Sequence, residues 1–154
     1  MARSLQRNIP ERMEDALRRV EGAFSVVAMT RTKLIGVRDP LGVRPLVLGK
    51  IGDGWALSSE TCALDIIGAE FVREIKPGEM VVIQNSGVES HFPFKPQNSR
   101  FCIFEHVYFS RPDSIIGGHS VYETRRQIGV ELAKESPVAA DLVCPVPDLS
   151  LIHI

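Results

Sequence analysis

Residues 101–114 read FCIFEHVYFSRPDS, a run of β-forming residues that closes in a Pro-Asp turn. Read as a strand, its alternation puts Cys102, Phe104, His106 and Tyr108 on one side and Phe101, Ile103, Glu105, Val107 and Phe109 on the other. Both sides then carry polar groups among apolar ones. An ordinary half-buried strand has one polar and one apolar face, so this segment must answer to different surroundings.

The two flanks differ in kind. Upstream, Pro10 and ERMEDALRRVEG predict a short helix, with Pro at its first position and acids toward its start. Met13, Ala16, Leu17 and Val20 form its apolar side, and Gly22 ends it. AFSVVAMT, KLIGVRD and RPLVLGK predict strands, and IGDG a turn before WALSS. ETCALDIIG predicts one or two helical turns closed by Gly68. EFVREI and EMVVIQ are strands around the Pro77–Gly78 turn, with Asn85–Ser86–Gly87 as a hairpin turn. HFPFKPQNSR is the strongest linker candidate. Downstream, RPDSIIGGHS reads as a loop and residues 120–135 as a helix, with Ser120 as N-cap, Glu123 completing a capping box, and Val121, Thr124, Ile128 and Leu132 on the apolar side. ADLVCPVPD reads as a buried strand. Strand, helix and strand suggest the opening of an α/β unit with parallel pairing. The expected organisation is therefore a β-rich unit over 1–95 and an α/β unit over 96–148.

The 154 residues are 44% hydrophobic and 24% charged, with a net charge of −1. That balance gives no basic field for nucleic acid or an anionic membrane, and neither is expected as a partner. No apolar run approaches the roughly 18 residues of a membrane span. The amino terminus lacks the apolar core of a secretory signal, and its acids argue against a transit peptide. Three cysteines, Cys62, Cys102 and Cys144, are odd in number and without CxxC spacing, which suits reduced thiols in a cytoplasm. His91, His119 and His153 show no ligand spacing and read as loop or surface residues.

Two further segments carry information. In VRDPLGVRPLVLGK (Val37–Lys50), Asp39, Pro40 and Gly42 make a tight turn, and the plain reading of Arg38 and Arg44 is solvated arginines beside it. In LSSETCAL, Ser58 and Ser59 stand outside any GxSxG elbow, and a serine cap before the helix is the better reading.

RDPLGVRPL followed by ALSSETCALDIIGAEFVREIKPGEMVVI resembles the latter part of the glutaminase domain of class II glutamine amidotransferases. FCIFEHVYFSRPDSIIGGHSVYETRRQIGVELA and ADLVCPVPD narrow the resemblance to the amidophosphoribosyltransferases, the glutamine phosphoribosylpyrophosphate (PRPP) amidotransferase family, over about Met1 to Asp148. The resemblance implies an α+β to α/β chain: the C-terminal part of an N-terminal-nucleophile glutaminase domain, an αββα sandwich, then the start of a type I phosphoribosyltransferase domain. It implies glutamine and PRPP as substrates, 5-phosphoribosylamine as product in purine synthesis, and a homo-oligomer when complete. The alternatives are another class II amidotransferase such as asparagine synthetase, against which EHVYFSRPDS speaks, or a non-catalytic interaction module on the same fold.

The residue roles follow from the resemblance alone. The family's nucleophile is an amino-terminal cysteine that acts with its own amino group. None of the three cysteines here can borrow that role, so no catalytic residue is expected in this span and the chain is expected to be inactive by itself. Tyr108 matches a tyrosine lining the ammonia passage at the junction of two domains. Asp148, in PVPD, matches the first pyrophosphate-contacting turn. Residues 149–154, LSLIHI, depart from the small residues such a turn needs and are expected to be non-native. Cys102 matches a position that ligates a [4Fe–4S] cluster in one branch of the family, although a core thiol is the expected role here. Magnesium, which the family uses, is expected to be held outside this chain.

Overall fold

A computed structural model describes residues 1–144. Helix α1 (Ile9–Leu17) is followed by β1 (Ser25–Met29), β2 (Leu34–Arg38), β3 (Val47–Ile51), β4 (Gly54–Ser58), α2 (Thr61–Ile66), β5 (Glu70–Glu74), β6 (Met80–Gln84) and β7 (Gly87–His91). A π-helical turn (Glu105–Phe109), the two-residue strands β8 (Ile115–Ile116) and β9 (His119–Ser120), and α3 (Val121–Glu135) complete it. One sheet has the order β1-β2-β6-β7, a second β4-β3-β5, and β8-β9 form a small hairpin. Every pairing is antiparallel.

The alternation of apolar residues builds four layers. On β2 and β6, Ile35, Val37, Met80 and Val82 face Met13 and Leu17 of α1. The intervening Val81 and Ile83 face the second sheet, where they meet Leu46, Leu48 and Ile75. Beyond that sheet, Val47 packs with Leu64 of α2 and Ala69. The order is thus helix, sheet, sheet, helix, with two-residue periodicity feeding both sides of each sheet. Gly36 lets the sheets close, since a Cβ there would stand 2.7 Å from a Leu57 methyl.

Several expectations shift. Asn8, rather than Pro10, opens α1: its side chain accepts the Glu11 N–H at 2.9 Å. Val20 lies beyond the helix and is exposed. The Pro-rich stretch at 91–100 is docked onto the body of the protein: Phe94 packs in the α1 cluster beside Phe24. Arg100 N–H donates to Leu41 O at 2.8 Å. Ser120 does cap α3, accepting the Glu123 N–H at 3.3 Å, but the Glu123 carboxylate engages Arg126 instead of reaching back. Val121 is buried, whereas Ile128 and Leu132 on the expected apolar side are exposed.

The opening stretch is not a strand. Residues Glu105–Phe109 form a single π-helical turn in which Glu105 and His106, neighbours in sequence, are both buried. The backbone satisfies itself locally, through His106 N–H to Ile103 O at 3.0 Å and Ser110 N–H to Glu105 O at 3.1 Å. These bonds meet the backbone polar groups of the turn within the segment itself. The parallel strand expected at ADLVC does not form over 140–144, which are exposed and without strand structure. Its continuation, Asp148 and the 149–154 tail lie outside the described residues.

Candidate functional site at the junction

The arginines of the RDPLGVR turn are not solvated alike. Arg38 is only 5% exposed. Its guanidinium donates to the carbonyls of Arg44 at 2.8 Å, Ile75 at 2.8 Å and Gly42 at 3.0 Å, with Glu74 at 3.6 Å. Asp39, fully buried, accepts the N–H groups of Leu41 at 2.9 Å and Val43 at 3.1 Å. Gly42 holds φ +61° there, where a Cβ would meet Pro77 at 2.6 Å. The turn is thereby rigid, and it presents Arg44 toward residues 105–109.

Arg44 meets the π-helical turn twice. Its guanidinium lies 4.8 Å from the Phe109 ring centre, a cation–π distance. Its Nε is 2.9 Å from Glu105 Oε1, a charge contact outside hydrogen-bond geometry. Glu105 is 2% exposed, and its other oxygen accepts the Ser110 hydroxyl at 2.8 Å. Arg125 of α3 donates to the carbonyls of His106 and Ser110, both at 2.7 Å. Burial, then His119 and Arg125, hold the His106 imidazole below its ordinary pKa against the opposing pull of Glu105. The acid and the histidine of the opening stretch therefore face inward for different reasons, one paired and one kept neutral.

A second stitch joins α2 to the loop after that turn. The residue capping α2 is Glu60, not a serine, and its side chain makes no cap bond. Ser58 Oγ accepts the Glu60 N–H at 3.4 Å. The Glu60 carboxylate instead crosses the chain to accept Arg111 N–H and the Ser114 hydroxyl, each at 2.8 Å. Thr61 Oγ1 accepts Ile115 N–H at 2.8 Å. The Cys62 thiol points at the same carboxylate, 3.7 Å away. Burial raises the Cys62 pKa, the Ser114 hydroxyl opposes this, and the Glu60 charge adds to the rise.

Between the stitches lies a cavity of about 250 Å³ lined by Ser25, Arg44, Ser59, Glu60, Glu105 and Phe109. It holds acids, hydroxyls and one arginine, but no thiol to act as nucleophile.

Of the residues singled out in the sequence, Tyr108 sits on the π-helical turn, 50% exposed, its ring 6.2 Å from that of Phe109. Cys102 precedes the turn and is half-buried. Among the described residues no group of three His, Cys, Asp or Glu gathers to hold a metal ion. Asp148 lies outside the described residues. Sequence reading missed Arg44, Glu60, Ser114 and Arg125. Their partners stand 51 to 61 positions away or on another element, and the one local signal was an acid at a helix start that did not cap it.

Comparison with known proteins agrees with this geometry. Residues 2–65 match the family model described as a glutamine amidotransferase domain. The amidophosphoribosyltransferase of Rhizobium etli is 53% identical over 153 residues, covering 96% of this chain and 31% of that protein. That of Synechococcus elongatus is 51% identical over 140 residues, covering 88% of this chain and 28% of that protein. The solved structure of the glutamine PRPP amidotransferase from B. subtilis complexed with ADP and GMP superposes with a TM-score of 0.92 at 41% identity. It covers 97% of this chain and 33% of that one. The chain thus spans about a third of the length of the relatives it matches. The αββα layering is that of a glutaminase-domain portion, and by sequence and fold together the chain is similar to about a third of an amidophosphoribosyltransferase.

Proposed function

We propose that this chain contributes the junction of an amidophosphoribosyltransferase, in which glutamine is hydrolysed to glutamate and ammonia. The ammonia then attacks C1 of the ribose of PRPP and displaces pyrophosphate, leaving 5-phosphoribosylamine. The observation that carries the reading is the doubly stitched contact of Arg44–Glu105 and Glu60–Ser114. It joins the layered sheets to the EHVYFSRPDS segment that distinguishes this family from other class II amidotransferases. Within it, Tyr108 and Phe109 wall an ammonia passage, contributing shape and excluding water rather than making bonds. The division of the chain falls near residue 95, with α3 opening the phosphoribosyltransferase part. Three free cysteines support a reducing, cytoplasmic setting, and no described helix is long and apolar enough to cross a membrane. Exposed apolar side chains on Phe104, Phe109 and Leu132 support further packing in a homo-oligomer.

The 154-residue chain alone is proposed to be catalytically silent, because its cysteines, Cys62, Cys102 and Cys144, are all internal and the family's nucleophile is an amino-terminal cysteine. The test compares two samples supplied with glutamine and PRPP. The intact product of the gene carrying this sequence is expected to form one glutamate per pyrophosphate, and the isolated chain neither. Glutamate formation by the isolated chain, or none by the intact product, overturns the proposal.

A further inference from the structure

We infer that Glu60 is a positioning residue for the turn that carries Tyr108, and so a determinant of how tightly ammonia release is coupled to its use. The inference rests on the proposed function of the junction and adds to it a residue on the glutaminase side that touches neither substrate.

Tyr108 makes few contacts that could hold it in place. It is half-exposed, and its nearest aromatic neighbour is Phe109 of the same turn. Its position is therefore inherited from the ends of the turn. The leading end is held by Arg44 through Glu105. The trailing end runs through Ser110, whose N–H closes the turn on Glu105 O at 3.1 Å, into Arg111–Ile115. That loop is fixed to the layered sheets by Glu60 and Thr61, through three contacts of 2.8 Å each.

Glu60 suits this task chemically. A carboxylate oxygen can take a backbone N–H and a hydroxyl together, and charged acceptors give the stronger bonds. Ser114 is fully buried, so its hydroxyl has no water to turn to if Glu60 is lost. The same carboxylate lines the cavity beside Arg44, Glu105 and Phe109. Slackening this end would move one wall of that space while leaving the four layers intact, because their apolar clusters lie elsewhere.

The experiment measures glutamate formed per pyrophosphate released by the intact gene product. Wild type is expected near one, and Glu60→Ala several-fold higher as ammonia escapes. Glu60→Gln, which keeps an acceptor oxygen, is expected to return most of the way to wild type, and that rescue separates positioning from mere loss of fold. Should Glu60→Ala not accumulate as folded protein, Ser114→Ala carries the test, with a ratio above wild type expected. A ratio unchanged in the folded variants overturns the inference. A wild type that forms no pyrophosphate overturns the proposed function instead.

Discussion

Arg38 shows how much one side chain can hold. It spans three carbonyls from the turn it starts and from the Ile75 end of the neighbouring sheet. Removing it strands those acceptors and leaves Glu74 without its cation. Arg38→Ala is expected to cost about 3–5 kcal/mol, the scale for breaking a buried ionic contact, as read by urea unfolding. Arg38→Lys should recover less than half, since an ammonium on a flexible stem cannot reproduce the fork. Glu79 makes the pH-dependent counterpart. Burial works to raise its pKa, but Arg73 at 2.7 and 2.9 Å, the Ser90 hydroxyl and the Lys76 N–H outweigh it and hold the carboxyl below its ordinary value. With the folded pKa depressed, the unfolded chain binds the extra proton. The contribution is therefore full above the ordinary carboxylate range and is lost as pH falls through the folded value. Glu79→Gln should lower stability at neutral pH and flatten its fall below about pH 5, a comparison that melting curves across pH would make.

Among the elements, β3 and α2 meet at a glycine chosen for space. A Cβ on Gly49 would stand 2.7 and 2.9 Å from the Leu64 methyls and 3.2 Å from Glu70 O. Leu64 is 1% exposed and has little room to yield. Gly49→Ala should cost about 1–3 kcal/mol by overpacking, measured by chemical denaturation, and pairing it with Leu64→Ala should cost less than the two singly. The β3–β5 register also breaks between Leu48 and Gly49. The π-helical turn is held by other means. Arg44, Arg125 and Ser110 grip its backbone and its buried acid while its aromatic side chains face outward.

At the scale of the molecule, the apolar side chains of the turn and of α3 lie outside all three clusters. Phe104, Val107, Tyr108, Phe109 and Leu132 are each about half exposed or more, and exposed apolar side chains of this size favour association. The isolated chain is expected to self-associate, with sedimentation coefficients rising with concentration. Phe104→Lys with Val107→Lys is expected to return it to the monomer. Concentration-independent sedimentation of the wild-type chain would remove the ground for this. Two sheets with open edges at β1, β7, β4 and β5 add to the tendency.

The residues themselves determined the layered half of the protein. Alternation at Ile35–Val37 and Met80–Ile83, the Met13–Leu17 stripe and the turn glycines are local signals with one physical solution each. The resemblance to amidophosphoribosyltransferases was also legible, in RDPLGVRPL and EHVYFSRPDS. Tertiary structure alone decided what the opening stretch becomes. Its alternating residues read as a strand, and the folded chain makes of Glu105–Phe109 a π-helical turn gripped by Arg44 and Arg125. Burial of Glu105 then followed from Arg44, 61 positions earlier, and the true task of Glu60 from Ser114, 54 positions later. Polar contacts of that separation leave no periodic trace in a sequence, because neither partner's surroundings are set until the chain has folded.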